Sequence, residues 1–400
     1  MKVTIHRGQN QIGGSIIEIS SDTTKILFDI GLELDDDKNK TKPDIKGLFD
    51  TKGFDAVFVS HYHSDHLGLA YEIDKQIPLY MGEASTKIIH VSDNYKSIPS
   101  IRVTGYLNHK KPSTIGDITV TPYLCDHSAF DSYMLMAECH GERILYTGDF
   151  RSNGRKSFDG LLKQLPQNID VLICEGTTLS RENYVSETEK ALEERVLEAI
   201  KETTGPVFVL QSSMNIDRIV TMYRAAKRSY RIFLQDLYMS EITSVIGGSI
   251  PNPLDPSFKD VRAFITSKLE ENSARYLSFN KYGAKKISKD QISRSHFVMC
   301  VRSSMIRYLT SLSKKMSFEN GLLIYSFWSG YRAQPEMKSF LDQCEKLGLK
   351  VITMHTSGHA DKDTINSLIE WTKPKSILPV HTENSQWFTE KFGNQYNIVH

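Results

Sequence analysis

The chain has 400 residues, 40% of them hydrophobic and 24% charged, with a formal charge of +1 at neutral pH. That composition is ordinary for a globular chain and long enough for two domains or one elaborate one. It gives no global attraction to nucleic acid, so any polyanion site must be a local patch. The five cysteines (Cys125, Cys139, Cys174, Cys300 and Cys344) are scattered with no C-x-x-C pair. This points to reduced thiols in a cytoplasmic protein rather than a disulfide framework. No apolar run approaches the ~20 residues of a membrane span, and no signal peptide is read at the N-terminus, so no membrane partner is expected.

Residues 1–150 read as short strands separated by Gly and Asp turns. Residues 16–19 and 25–29 predict a hairpin across Ser20 to Thr23, with Gly13 and Gly14 as turn residues before it. Residues 54–59 are a β-prone apolar run that predicts a buried strand. The loop after it, Ser60-His61-Tyr62-His63-Ser64-Asp65-His66, holds three imidazoles and a carboxylate in six positions. Two histidines two apart on extended backbone point the same way. Asp65 and His66 at the following turn can face a second point nearby. Imidazole and carboxylate suit zinc, and less selectively iron or manganese. A surface loop with incidental histidines is the bland alternative, and four ligand-type side chains in six positions argue against it.

Residues 69–75 are expected to begin a helix, 78–81 a strand and 84–91 another helix. His127 follows a strand-like run at 118–124, and Asp149 follows another at 143–146. Asp29 ends the earlier apolar run at 26–28. Each alone would be an ordinary solvated residue; their serial order at the ends of apolar runs makes the set specific.

A strand at 171–174 leads to Glu175. Ser186 with Glu189 then predicts a capping box, and Leu192, Val196, Ala199 and Ile200 the apolar face of the helix it opens. Strands at 207–210 and 232–234, with a helix capped by Asn215 between them, predict parallel strands with crossover helices. The expected organisation is a first domain over 1–182, an inserted domain over 183–349, and completion of the first domain over 350–400. The lysines and arginines over 259–315 read as solvated helix faces, with a polyphosphate-binding lip the sharper alternative. Trp328 is assigned to core packing, with base stacking by Trp328 and Tyr331 the sharper alternative. Near the end, Ser357-Gly358-His359 and Val380-His381-Thr382 return to histidines at strand tips.

These motifs resemble the metallo-β-lactamase superfamily. Glu175, His359 and His381 resemble the extra motifs of its β-CASP branch, most closely the bacterial ribonuclease J family. The resemblance implies an α/β fold: an αββα sandwich with an inserted α/β β-CASP domain. It implies His61, His63 and His127 on one zinc, Asp65, His66 and His381 on another, and Asp149 bridging them. Two Zn2+ are the expected cofactors, with Mn2+ or Fe2+ as alternatives. Asp29 would orient ligands from behind, and Asp65, Glu175 and His359 would be catalytic, with Glu175 holding His359 in one tautomer. Ser212, Ser213, Ser357 and His359 would bind phosphate. The implied activity is zinc-dependent phosphodiester hydrolysis, in RNA, by a two-metal-activated hydroxide. RNA is the expected substrate, and a homodimer stays open. Two alternatives remain: a metallohydrolase acting on a small phosphodiester or other ester, and a non-catalytic RNA-binding protein. Ribonuclease J continues into a C-terminal domain, whereas this chain stops soon after His381.

Overall fold

The computed structural model describes residues 1–34, 39–181, 184 and 186–399. The chain divides into two units, Met1–Ser186 with Gly358–His400, and Glu187–Ser357.

In the first unit the strands run β1 (Lys2–Arg7), β2 (Ile16–Ser20), β3 (Lys25–Phe28), β4 (Ala56–Phe58), β5 (Leu79–Gly82), β6 (Gly105–Leu107), β7 (Ser113–Ile115), β8 (Ile118–Cys125), β9 (Ser132–Cys139), β10 (Glu142–Tyr146) and β11 (Val171–Glu175). The second unit supplies β12 (Val207–Leu210), β13 (Ile232–Asp236), β14 (Val261–Phe264), β15 (Phe297–Val301), β16 (Gly321–Tyr325) and β17 (Leu349–Thr353). The first is then completed by β18 (Ser376–Val380) and β19 (Asn397–Ile398).

Two sheets build the first unit, ordered β1-β2-β3-β4-β5-β6 and β19-β18-β11-β10-β9-β8-β7. Ile17, Ile19, Ile26, Phe28 and Phe58 of one sheet pack on Val120, Leu135, Ala137, Tyr146 and Ile173 of the other. Each of the larger aliphatic and phenyl side chains stabilises the sandwich by about 1.5–3 kcal/mol on burial. The outer face of the second sheet buries Leu145, Leu172 and Ile377 against helices Phe158–Leu162, Lys362–Thr372 and Gln386–Phe392. On the other sheet, helix Glu83–Lys96 follows β5 and buries Ile88 and Ile89. The result is the expected αββα layering.

The second unit is one parallel sheet, ordered β14-β13-β15-β12-β16-β17. Its central strands are buried along their whole length, which is why Val207–Leu210 and Phe297–Val301 read as unbroken apolar runs. No helix among the described residues is long and apolar enough to cross a membrane.

Several local expectations change. The helix expected from Ser186 spans Glu189–Glu202, and its N-cap is Thr188, whose hydroxyl accepts from the Ala191 amide. Thr188 lies closer to the first helical residue and outcompetes the Ser186 pattern. The turn after the histidine loop is the short helix Ser64–Leu67 rather than a helix over 69–75. The expected boundary at residues 182 and 183 lies outside the described residues. The strand over 349–353, near the expected return to the first domain, pairs with β16 in the inserted sheet, so the chain rejoins the first unit only at Gly358. Trp328 is 45% exposed and packs edge-on to the exposed Tyr331, so it is not a core residue.

Candidate metal centre

Strands β8, β10, β11 and β18 run in the same direction, so their C-terminal ends share one edge of the sheet. That edge presents His127, Asp149, Glu175 and His381. The first sheet brings Asp29 after β3 and the His61–His66 loop after β4. Backbone bonds fix this loop: Ser15 and Leu32 amides donate to the Asp65 and Ser64 carbonyls, and the Ile30 amide to the His66 carbonyl. Gly31 lies beneath the loop, where a Cβ would fall 1.7 Å from the Asp65 carbonyl oxygen. Only glycine allows the two segments to approach so closely.

The residues meet as two tetrads sharing Asp149: His61, His63, His127 and Asp149, and Asp65, His66, Asp149 and His381. In the first, His61 Nε2 is 3.2 Å from His63 Nδ1, which is 3.1 Å from His127 Nε2. Asp149 Oδ2 is 3.7 and 3.8 Å from the His61 and His127 nitrogens. In the second, Asp149 Oδ2 is 3.3 Å from His66 Nε2, and Asp65 Oδ2 is 3.0 Å from His381 Nε2.

Hydrogen bonds behind the tetrads set which nitrogens are bare. Ser60 Oγ donates to Asp29 at 2.8 Å, so it accepts from His61 Nδ1 and leaves His61 Nε2 bare. His127 Nδ1 donates to the Gly358 carbonyl, baring its Nε2. His66 Nδ1 donates to Asp29 at 2.7 Å. His381 Nδ1 donates to Thr177 Oγ1 at 2.8 Å, and that hydroxyl donates to Glu175 Oε2 at 2.7 Å. Such partners hold ligating imidazoles in one tautomer.

Electrostatics separate the histidines. Burial and the neighbouring imidazoles hold His61 and His127 well below the ordinary histidine range. Burial, helped by His66 and His359, lowers His63 to about 4. These three are neutral, the form that ligates a cation. Burial also works against a charged His66, but Asp149 and Asp29 outweigh it and raise its pKa. For Asp149 the burial penalty is overcome by His381, His66 and His359, so it stays ionised.

The donor set fits divalent ions. His66 Nε2 and both Asp149 oxygens are buried without a hydrogen-bond partner. Buried polar atoms rarely stay unmatched, at a cost of about 1–3 kcal/mol each. The bare Nε2 atoms of His61 and His127 converge on His63 Nδ1 at 3.2 and 3.1 Å, a spacing one cation can share. That separation is close to the edge of a zinc tetrahedron with ~2.0–2.1 Å ligand bonds.

Glu175 lies beside this centre. Its Oε2 is 3.2 Å from His359 Nδ1, which is 3.5 Å from Asp149 Oδ2, while its Oε1 accepts from the Phe150 amide. Of the expected phosphate-binding residues, His359 belongs to this first unit, and Ser212, Ser213 and Ser357 to the second. Ser213 is buried with its hydroxyl unpartnered. Ser212 Oγ accepts from the Met214 amide.

Several supporting residues escaped sequence reasoning. Tyr146 donates to Asp29 Oδ2 at 2.7 Å. Thr177 links Glu175 to His381. Asp126 accepts from Arg151 Nε and from the Arg155 and Lys156 amides, tying the His127 loop to the Asp149 loop. Only position hinted at them, since each lies within two or three residues of a named ligand.

Comparison with known proteins agrees with this geometry. A family described as "Beta-lactamase superfamily domain" matches residues 24–211, and one described as "Zn-dependent metallo-hydrolase RNA specificity domain" matches residues 346–399. The two matches support a place for this chain in the metallo-β-lactamase superfamily. A "Probable RNase MJ4" from Methanocaldococcus jannaschii is 24% identical over 96% of this chain and 94% of its own length. "Ribonuclease J" of Helicobacter pylori is 24% identical over 96% of the chain, and that of Sinorhizobium meliloti 22% over 85%. Within the superfamily, then, this is a ribonuclease J-like protein of the β-CASP branch. The chain spans 56% and 60% of the lengths of those two ribonucleases J. A solved Enterococcus faecalis protein of unknown function shares the fold, with TM-score 0.80 at 21% identity over 100% of this chain and 97% of that one.

Proposed function

We propose that the chain is a zinc-dependent hydrolase of phosphodiester bonds in RNA. The observation that carries the reading is the pair of tetrads sharing Asp149, with neutral imidazoles on one side and carboxylates on the other. The names of the relatives, and the description of the family matching residues 346–399, support RNA as the substrate.

His61, His63 and His127 would hold one ion, Asp65, His66 and His381 the other, with Asp149 between. Bound there, divalent ions supply the Lewis acidity that makes water a nucleophile near neutral pH and offsets charge on a phosphoryl group. The chain's own residues do the rest. Glu175 accepts from His359 Nδ1 and so fixes the tautomer and orientation of the ring. Burial lowers the His359 pKa, but Glu175 and Asp149 outweigh it and raise it. A protonated imidazole suits a proton donor to the departing oxygen. Ser213, with its unpartnered hydroxyl, would bind phosphate together with Ser212 and Ser357.

The test pairs metal analysis with cleavage of 5′-monophosphorylated and 5′-triphosphorylated RNA, comparing wild type with His359→Ala. Cleavage should fall about 10²–10⁴-fold in the variant while bound metal is retained. A variant as active as wild type would remove His359 from the reaction. The formal charge of +1 favours one second reading, a small phosphodiester substrate. Turnover of chromogenic diesters with no cleavage of RNA would establish it.

A further inference from the structure

At the far end of the same sheet lies a second group of ligand-type side chains, Asp117, Cys139 and His140. Their ligand atoms all lie within 4.8 Å of one another. We propose that they form a separate site for one zinc-class divalent ion. The function proposed above makes no use of this site.

The strand register creates it. Asp117 is the second residue of the two-residue turn between β7 and β8, where Ile115 pairs with Ile118. His140 is the first residue of the turn between β9 and β10, where Cys139 pairs with Glu142. β8 and β9 are antiparallel neighbours with Thr119 opposite Glu138. Two tight turns are therefore brought side by side, with Asp117 next to His140 and Cys139. Both turns have the positive φ such hairpins require, at Gly116 (55°) and at His140 and Gly141 (49° and 86°). β8 spans Ile118–Cys125, so at ~3.4 Å per residue Asp117 lies roughly 30 Å from the His127 end of the strand.

Asp117 is oriented as a ligand needs to be. Ser21 Oγ donates to its Oδ1 at 2.6 Å, and its own amide donates to Thr24 Oγ1. These bonds turn Oδ2 toward His140 Nε2, 3.7 Å away. The hydrogen bond from Ser21, then that from Thr24, hold the Asp117 pKa below the usual carboxylate range. Cys139 is buried, and burial followed by the Asp117 charge raises its thiol pKa. A cation between the two would remove that conflict, because a coordinating thiol ionises outright. The His140 side chain is 84% exposed and can close onto the ion without disturbing the core. One sulfur, one nitrogen and one oxygen suit zinc, with water completing four-coordination.

Cobalt(II) gives a readout specific to this site, because its thiolate ligand produces a charge-transfer absorption that a cluster of imidazoles and carboxylates lacks. The full chain, saturated with cobalt(II), should show that band. Cys139→Ser should abolish it, and Asp117→Asn and His140→Gln should each weaken cobalt binding at this site by at least about tenfold. Circular dichroism checks that Cys139→Ser is folded; should it not fold, His140→Gln, on an exposed turn, decides the matter. A wild-type chain without the band, a band that persists in folded Cys139→Ser, or unchanged affinity in His140→Gln would each overturn the proposal.

Discussion

Tyr146→Phe tests how far the metal centre depends on residues that never touch the ions. Asp29 receives four donors: the Ser60 amide at 2.6 Å, the Ser60 hydroxyl at 2.8 Å, His66 Nδ1 at 2.7 Å and the Tyr146 hydroxyl at 2.7 Å. Three of them converge on Oδ2 and one reaches Oδ1, so the carboxylate is held from four directions. Phenylalanine keeps the ring and its stacking on Phe28, whose centroid is 5.9 Å away, and removes only the hydroxyl. A hydrogen bond to a charged acceptor contributes about 1.5–3 kcal/mol, and here the acceptor is fully buried. Urea unfolding of metal-free protein should therefore show a loss of about 2 kcal/mol with an unchanged m-value. Asp29 also aims His66, so metal affinity should fall as well. Loss of a group directly behind a ligand costs about 10–100-fold, and Tyr146 stands one step further back, so the low end is expected. Chelator competition measures it. A variant with wild-type stability and wild-type metal affinity would show that Asp29 needs only its other three donors, and the reasoning would fail.

Thr177→Val is a near-isosteric change that removes the hydroxyl between His381 and Glu175. His381 Nδ1 would lose its acceptor and Glu175 a donor, which should cost about 1–3 kcal/mol and lower occupancy at the Asp65–His66–His381 side. Elemental analysis giving full occupancy together with an unchanged unfolding midpoint would count against the relay. The metal-free chain should also be acid-sensitive above the carboxylate range. His63 has a folded pKa of about 4 against ~6.5 unfolded. The unfolded chain therefore binds a proton first, and stability present above pH ~6.5 is lost as the pH falls toward 4. For His63 alone this amounts to about 3 kcal/mol. His61 and His127, also lowered, act in the same direction, whereas the raised His66 and His359 lose their contribution as the pH rises. Thermal unfolding of chelator-treated protein from pH 7 to 4.5 checks it, and a flat midpoint would contradict the assignment of neutral buried imidazoles.

The ligand candidates were legible because a metal centre of this kind draws its donors from strand ends, and strand ends are marked by an apolar run followed abruptly by polar residues. His127 after β8 and His381 after β18 are separated by 254 positions, yet each carries that signature, and β8, β10, β11 and β18 ending at one edge converts serial order into proximity. What stayed hidden is what a linear pattern cannot express. Tyr146 looks like one more apolar residue of β10, and only the packing of β10 on the first sheet turns its hydroxyl toward Asp29. Trp328 was misassigned for the converse reason: an aromatic after the buried strand β16 looks like core, but the chain has already left the sheet by then.

The cysteines carry the same lesson. Spacing along the chain does not distinguish Cys125 from Cys139, since neither belongs to a C-x-x-C pair. The structure separates them by what lies at the end of each strand. Cys125 closes β8 next to Asp126, whose carboxylate is taken up by Arg151 and two amides. Cys139 closes β9 at a turn where Asp117 keeps one oxygen directed at an imidazole. A thiol becomes a ligand through the neighbours that a register supplies, and a two-residue turn fixes that register more tightly than any pattern of cysteines along the chain.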